Sequence, residues 1–252
     1  MTQEQAARPE QFLDWMRDGT ARLLTDLAGL PDESLEAPSL LPGWNRRYLL
    51  SHVAANAEAL RNLVHWARTG EERRMYTSVE ARDAGIRAGA ARPAAELRAW
   101  IASSADALAG DLDSMPAQAW DAKVITAQGL TREAREIPWM RVREAYVHAV
   151  DLGAGTGFAD LPGTFLVALL DDVAARRSKV GTSPALTLTA SDAGRSWQVT
   201  GAGDPVAVTA PLAVLTAWLS GRPVTGPSDA GLRDAGLRDT DGRPVPDLPA
   251  WL

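Results

Sequence analysis

The chain contains no cysteine in 252 residues. Disulfides, cysteine-ligated zinc and a cysteine nucleophile are therefore excluded, and any thiol chemistry must use a sulfur brought from outside. Lysine is nearly absent: Lys123 and Lys179 are the only two among 26 basic residues. A fixed cation in a site is thus expected to be an arginine, whose planar fork grips carboxylates through paired hydrogen bonds. Histidine occurs three times, at His52, His65 and His148. No apolar run approaches the ~18 residues of a membrane span, and the first residues hold no apolar signal core. A soluble, cytoplasmic protein is the expectation. The net charge of −6 and a pI near 5.2 argue against nucleic acid or an anionic membrane as the main partner.

What remains is an ordinary globular composition, 46% hydrophobic and 23% charged, in a chain long enough for one large domain or two small ones. Apolar residues recur at helical spacing from Pro9 to Leu30 (Phe12, Trp15, Met16, Leu23, Leu24, Leu27), and Gly29 and Pro31 stop that helix. Asn45 is placed to cap a long helix from Arg46 to Arg68 with an apolar stripe of Leu49, Val53, Leu60, Leu63 and Val64; Gly70 ends it. A short helix is expected from Ser78 to Ala88, another from Pro93 to about Met115, and a fifth that opens near Pro138 and ends at Gly153. Between the last two, Val124-Ile125-Thr126 reads as a short extended segment. These helices predict a helical bundle over residues 1–155. Gly153 to Gly157 follows a helix rather than a strand and lacks a following Lys-Ser/Thr, so it reads as a helix stop and linker, not a phosphate loop.

The pattern changes over residues 162–252. A helix is expected from Gly163 to Val180, then two alternating runs, Ala185–Ala190 and Ser196–Thr200, separated by a hairpin signal at Asp192-Ala193-Gly194. Val206–Thr209 makes a third short strand, and Pro211 opens a helix ending near Ser220-Gly221-Arg222. The fold class is α+β: a bundle followed by a small α/β domain with antiparallel strands. The segment Asp229–Arg233 is repeated as Asp234–Arg238, a local duplication in a loop.

Glu144 and His148 lie four residues apart, so on a helix they share one face, and Asp151 follows at i+7 from Glu144. A carboxylate and an imidazole so placed can grip one metal ion. His52 stands on the long second helix, with Asn56 one turn further on the same face. Alone it reads as a hydrogen-bonded core residue. Together with Glu144 and His148 it gives two bundle helices that both offer inward ligands, the arrangement bundles use for metals. His65 is more than three turns from His52 and reads as structural. Two neutral imidazoles and one carboxylate leave a divalent ion near +1 with an open position, which favours an incoming thiolate. Asp151 reads equally as an acceptor that orients a ligand imidazole or as a solvated helix-end charge.

Several stretches carry a family resemblance. Leu41-Pro42-Gly43-Trp44 leading to Leu50–Asn56, and Trp139–Gly153, resemble the metal-binding helices of the DinB-like, mycothiol-dependent enzymes. His65–Glu72, Met75-Tyr76 with Glu80-Ala81-Arg82, and Ile125–Gly129 are similar to the mycothiol-dependent maleylpyruvate isomerases in particular. The likeness extends through a C-terminal domain of the sterol-carrier type to Trp251-Leu252. It implies zinc held by His52, Glu144 and His148, mycothiol as thiol cofactor, and active-site arginines at Arg222 and Arg82. It also implies a cis–trans isomerase that turns maleylpyruvate, a small dianionic substrate, into fumarylpyruvate in gentisate-type aromatic catabolism. A monomer is expected. From the residues alone, Arg82 also reads as a solvated charge on a polar helix, and Arg222 as a helix-terminal cation favoured by the dipole. The Asp229–Arg238 duplication looks like an insertion close to Arg222. Two other readings stay open: a mycothiol S-transferase with the same metal triad, and a non-catalytic ligand-binding module with a structural metal.

Overall fold

A computed structural model describes residues 9–223 and 237–249. The chain divides into two compact units, Met1–Gly155 and Thr156–Leu252. Most of the Asp229–Arg238 duplication, and the terminal Trp251-Leu252, lie outside the described residues. No helix among the described residues is long and apolar enough to cross a membrane.

The first unit is built on five helices: α1 (Pro9–Ala28), α2 (Arg46–Thr69), α3 (Val79–Ala90), α4 (Ala94–Asp113) and α5 (Ile137–Asp151). Four close a ring, α1 on α5, α5 on α2, α2 on α4 and α4 on α1, while α3 packs against α2. This is the expected helical bundle. The helix ends follow local chemistry. Asn45 caps α2, its side-chain oxygen accepting from the Tyr48 N–H at 2.9 Å. Gly70 ends α2 in the left-handed region, φ +76°, where a residue with a Cβ is strained. Ser78 caps α3. The expected stripe of α2 is buried throughout, and Leu49, Leu50, Val53 and Ala54 join Leu23, Leu27, Leu35, Leu97, Ile101, Ala149 and Leu152 in one core. α2 thus sits at the centre of the unit, and a functional group on its inner face is held by packing on several sides. Between α4 and α5, the segment Lys123–Ile125 (β1) pairs antiparallel with Thr131–Glu133 (β2). The second of these strands carries no apolar alternation and reads as loop from sequence.

The second unit places α6 (Gly163–Val180) and α7 (Leu212–Leu219) with a three-stranded sheet of order β4-β3-β5. Strands β3 (Pro184–Ala190) and β4 (Arg195–Val199) form the expected antiparallel hairpin. β5 (Ala202–Ala210) is longer than the Val206–Thr209 run, and it lies on the other edge of β3, parallel to it. Only two residues, Thr200 and Gly201, connect β4 to β5. They cross the start of β3 so closely that a Cβ on Gly201 would lie 2.0 Å from the Ser183 carbonyl oxygen. Glycine is the residue that permits this crossing.

Candidate metal centre

The site grows from the antiparallel pairing of α2 and α5. Three cross-links run along that seam in order. Arg46, at the start of α2, donates to the carbonyls of Leu152 and Gly153 at the end of α5, both at 2.9 Å. His52 meets Glu144 and His148 in the middle. Arg141, on α5, donates to the Val53 carbonyl at 2.8 Å and to Asn56 Oδ1 at 3.1 Å. Residues 141, 144, 148 and 151 fall on one face of α5 because they are spaced by three and four, so the polar groups that α5 brings to the seam share the side that meets α2.

Within the triad, His52 Nε2 lies 2.9 Å from Glu144 Oε2, and His148 Nε2 lies 3.2 Å from the same oxygen. One ligand atom from each of the three residues falls within 4.8 Å of the others. Zinc–ligand bonds of about 2.1 Å in a tetrahedron set ligand atoms about 3.4 Å apart, so small side-chain movements admit an ion. Both histidines are buried, at 7% and 8% exposure. His148 Nδ1 donates to Asp151 Oδ2 at 2.9 Å, and Asp151 is fully buried. The solvated reading of Asp151 is thereby removed. As an acceptor it keeps the hydrogen on Nδ1 and presents Nε2, as metal-bound histidines usually require. The donor set of two imidazoles and a carboxylate, with one imidazole oriented by a buried acid, fits a divalent metal ion with an open position.

The electrostatics follow from burial and proximity. Burial pushes the His52 imidazole down, against the attraction of Glu144. Burial acts to raise the Glu144 carboxyl, but the His52 charge and the hydrogen bonds from both histidines hold it well below the usual carboxylate range. His148 is raised to about 9 despite burial, because Asp151 and Glu144 accept its hydrogen bonds. The proton that His148 carries is therefore the one an ion must displace. Counting buried Asp151 changes the expected charge. A divalent ion, Glu144 and Asp151 sum to zero, not to the +1 given by the triad alone.

The arginines fall differently. Arg82, on α3, reaches the site: its Nη2 lies 3.4 Å from His52 Nδ1, and its Nη1 donates to Asp83 Oδ1 at 2.8 Å. It is not a wholly solvated charge, and it also lies 5.9 Å from the centre of the Tyr76 ring. Burial raises the Tyr76 phenol to about 12, with the Glu144 charge adding to the effect, so it stays neutral. Arg222 lies in the second unit after α7, with Nη1 donating to the Ser220 carbonyl at 2.9 Å. His65 stands apart from the triad, 3.2 Å from Glu71 on the exposed face of α2, as expected for a residue outside the site. Two groups that the sequence shows only as members of its motifs enter the site here. Trp44 packs edge-on to the His52 ring, 5.3 Å between centroids. Arg141 is almost completely buried. The signal for Arg141 was present, since it precedes Glu144 by three and His148 by seven on the same face, but an arginine at such a spacing ordinarily lies in solvent.

With this geometry in hand, comparison with known proteins is specific. Residues 3–153 match the N-terminal domain of the mycothiol maleylpyruvate isomerases. Among solved structures, a mycothiol-dependent maleylpyruvate isomerase is similar at 34% identity and TM-score 0.89, covering 100% of both chains. Its H52A mutant is similar to the same degree. No curated protein matches the chain.

Proposed function

The chain belongs to the mycothiol maleylpyruvate isomerase family, and from that premise we propose that it is a zinc- and mycothiol-dependent cis–trans isomerase converting maleylpyruvate to fumarylpyruvate. The observation that carries the reading is the seam of α2 and α5, where His52, Glu144 and His148 converge within 4.8 Å in a chain with no cysteine of its own. When bound there, zinc supplies a Lewis acid that holds an external thiolate, whose reversible addition to the conjugated double bond gives the single bond that isomerisation needs. The residues supply the rest. His52 and His148 offer Nε2 and Glu144 offers Oε2. Asp151 fixes the His148 ring. A metal on His52 Nε2 leaves Nδ1 protonated, so Arg82 loses its acceptor there and becomes available to a substrate carboxylate. Arg222 is the second arginine we assign to the dianionic substrate, on the family resemblance.

The test combines two readouts in one assay: maleylpyruvate with mycothiol, followed by absorbance and by free-thiol titration. Isomerisation with the thiol fully recovered supports the reading. Stoichiometric loss of thiol identifies a transferase instead, and turnover without any added thiol overturns the borrowed nucleophile.

A further inference from the structure

Arg141 is a buried cation that the proposed chemistry does not use. It is 1% exposed, on α5 one turn before Glu144, in the α2–α5 seam. Its two partners are a backbone carbonyl, of Val53, and a side-chain amide, of Asn56. Both are neutral, and among the described residues no carboxylate pairs with it directly. A buried charge left in this state is costly. The opposite charge it feels is that of Glu144, through space, and burial still pulls the guanidinium down to about 10.

The charge sum gives this placement a consequence. Divalent ion, Glu144 and Asp151 add to zero, the two histidines are neutral once ligated, and Arg82 is offset by Asp83 at 2.8 Å. Tyr76 is neutral. Of the guanidinium groups near the site, Arg82 has an adjoining carboxylate and Arg141 has none among the described residues, so Arg141 adds its positive charge to the loaded site uncancelled. We infer that Arg141 is a specificity-determining residue that makes the loaded metal site select an anion at its open position, and that Asn56, a neutral acceptor, leaves this charge uncancelled. The ligand class is a small monoanion or the charged sulfur of a thiolate, as against water, an alcohol or a neutral thioether. Arg141 acts through its field and not by touching the ligand, so it is distinct from Arg82 and Arg222. The inference rests on the proposed metal site.

The decisive variant is Asn56→Asp. It is nearly isosteric and keeps the acceptor at the same place, 3.1 Å from Arg141 Nη1 in the parent, but it cancels the guanidinium charge. The full chain is loaded with Co2+, whose visible spectrum reports its ligands, and titrated with azide at fixed pH and ionic strength. Metal content is measured separately. The expected result is one Co2+ per chain in parent and variant, with azide bound about tenfold more weakly by Asn56→Asp. Arg141→Lys, which keeps the charge and loses the fork, stays within about threefold of the parent. Azide affinity unchanged in Asn56→Asp at full Co2+ content overturns the inference and leaves the metal site standing. If Asn56→Asp does not fold, Arg141→Gln against Arg141→Lys decides: a loss of about tenfold in the first alone supports the inference, and equal affinities overturn it. A parent chain that takes up no Co2+ overturns the metal site and this inference together.

Discussion

Two arginines of this chain are buried to nearly the same degree, Arg141 in the first unit at 1% and Arg177 in the second at 4%. Neither pairs directly with a carboxylate among the described residues. Arg177, on α6, donates from Nε to the Leu219 carbonyl at 2.9 Å, and from Nη1 to Pro249 O at 3.1 Å and Ser183 Oγ at 3.3 Å. Its partners are two backbone carbonyls and one serine hydroxyl, all neutral. It ties the end of α7, the entry to β3 and the segment at Pro249 to one helix. Arg141 makes fewer bonds, and its surroundings are titratable: Glu144 and Tyr76 both interact with its charge. Residue type and solvent exposure are alike in the two cases. The neighbours decide that one arginine is a staple and that the other sets the field of a site.

The comparison can be broken or sharpened by experiment. The largest effect is expected at the centre of the first neighbourhood. His52→Ala removes one of three candidate ligands and should lower metal affinity by more than the about 10–100-fold expected for loss of an outer partner, abolishing the proposed isomerisation; zinc retained in full stoichiometry would sink the three-ligand assignment. Arg177→Ala is the counterpart in the second unit. It leaves three acceptors unsatisfied around a new cavity and should cost about 3 kcal/mol in urea unfolding. Metal affinity should not change, and a shift in it would mean that Arg177 is more than a staple. Next comes Asp151→Asn, which keeps the shape but frees the His148 tautomer; competition with a chromophoric chelator should show metal affinity lower by about 10–100-fold. Affinity equal to the parent would return Asp151 to a packing role.

The last expected effect is on pH, and it is the smallest only when taken per pH unit. The ion displaces the proton of His148, whose pKa is raised to about 9 in the metal-free site. Metal affinity should therefore rise about tenfold per pH unit from 7 to about 9 and then level off. His52 is shifted downward and adds no slope there. The metal-free protein should behave the opposite way. A folded-state pKa above the ordinary histidine value of about 6.5 contributes stability that is fully present below that pH and is lost as the pH rises through about 9. Urea midpoints at pH 6.5 and 9.5 test the sign. A flat affinity profile between pH 7 and 9 would show that His148 is already neutral in the metal-free chain.

Much of the bundle was legible because each helix carries its own signals. Asn45 and Ser78 stand where caps are needed, and the stripe from Leu49 to Val64 repeats at the helical period. The helix expected from Gly163 to Val180 has those bounds. The pair Glu144 and His148 was legible for the same local reason. What escaped was non-local. β2 is three polar residues, Thr131 to Glu133, which pair only because β1 is beside them. The connection through Gly201 looks like a second hairpin, yet it carries β5 across to the far edge of β3, a choice between two open edges that no local signal along the chain makes. Asn56 stands one turn from His52 on the same helix face, but nothing along the chain shows that it faces a cation.

By itself, then, the sequence determined the helix ends, the apolar faces, the absence of an internal thiol and the types of candidate ligand on α2 and α5, since all of these depend on residues within a turn or two of one another. The tertiary structure decided three further things. It set His52 against Glu144, ninety-two positions away in the chain. It buried Asp151, which turns a helix-end charge into an anchor for the His148 ring and lowers by one the charge the site would carry with a divalent ion bound. And it closed Arg141 into the seam opposite a neutral amide. Charges act through space and their strength depends on what excludes water around them, so no spacing along the chain reveals which of them will be felt.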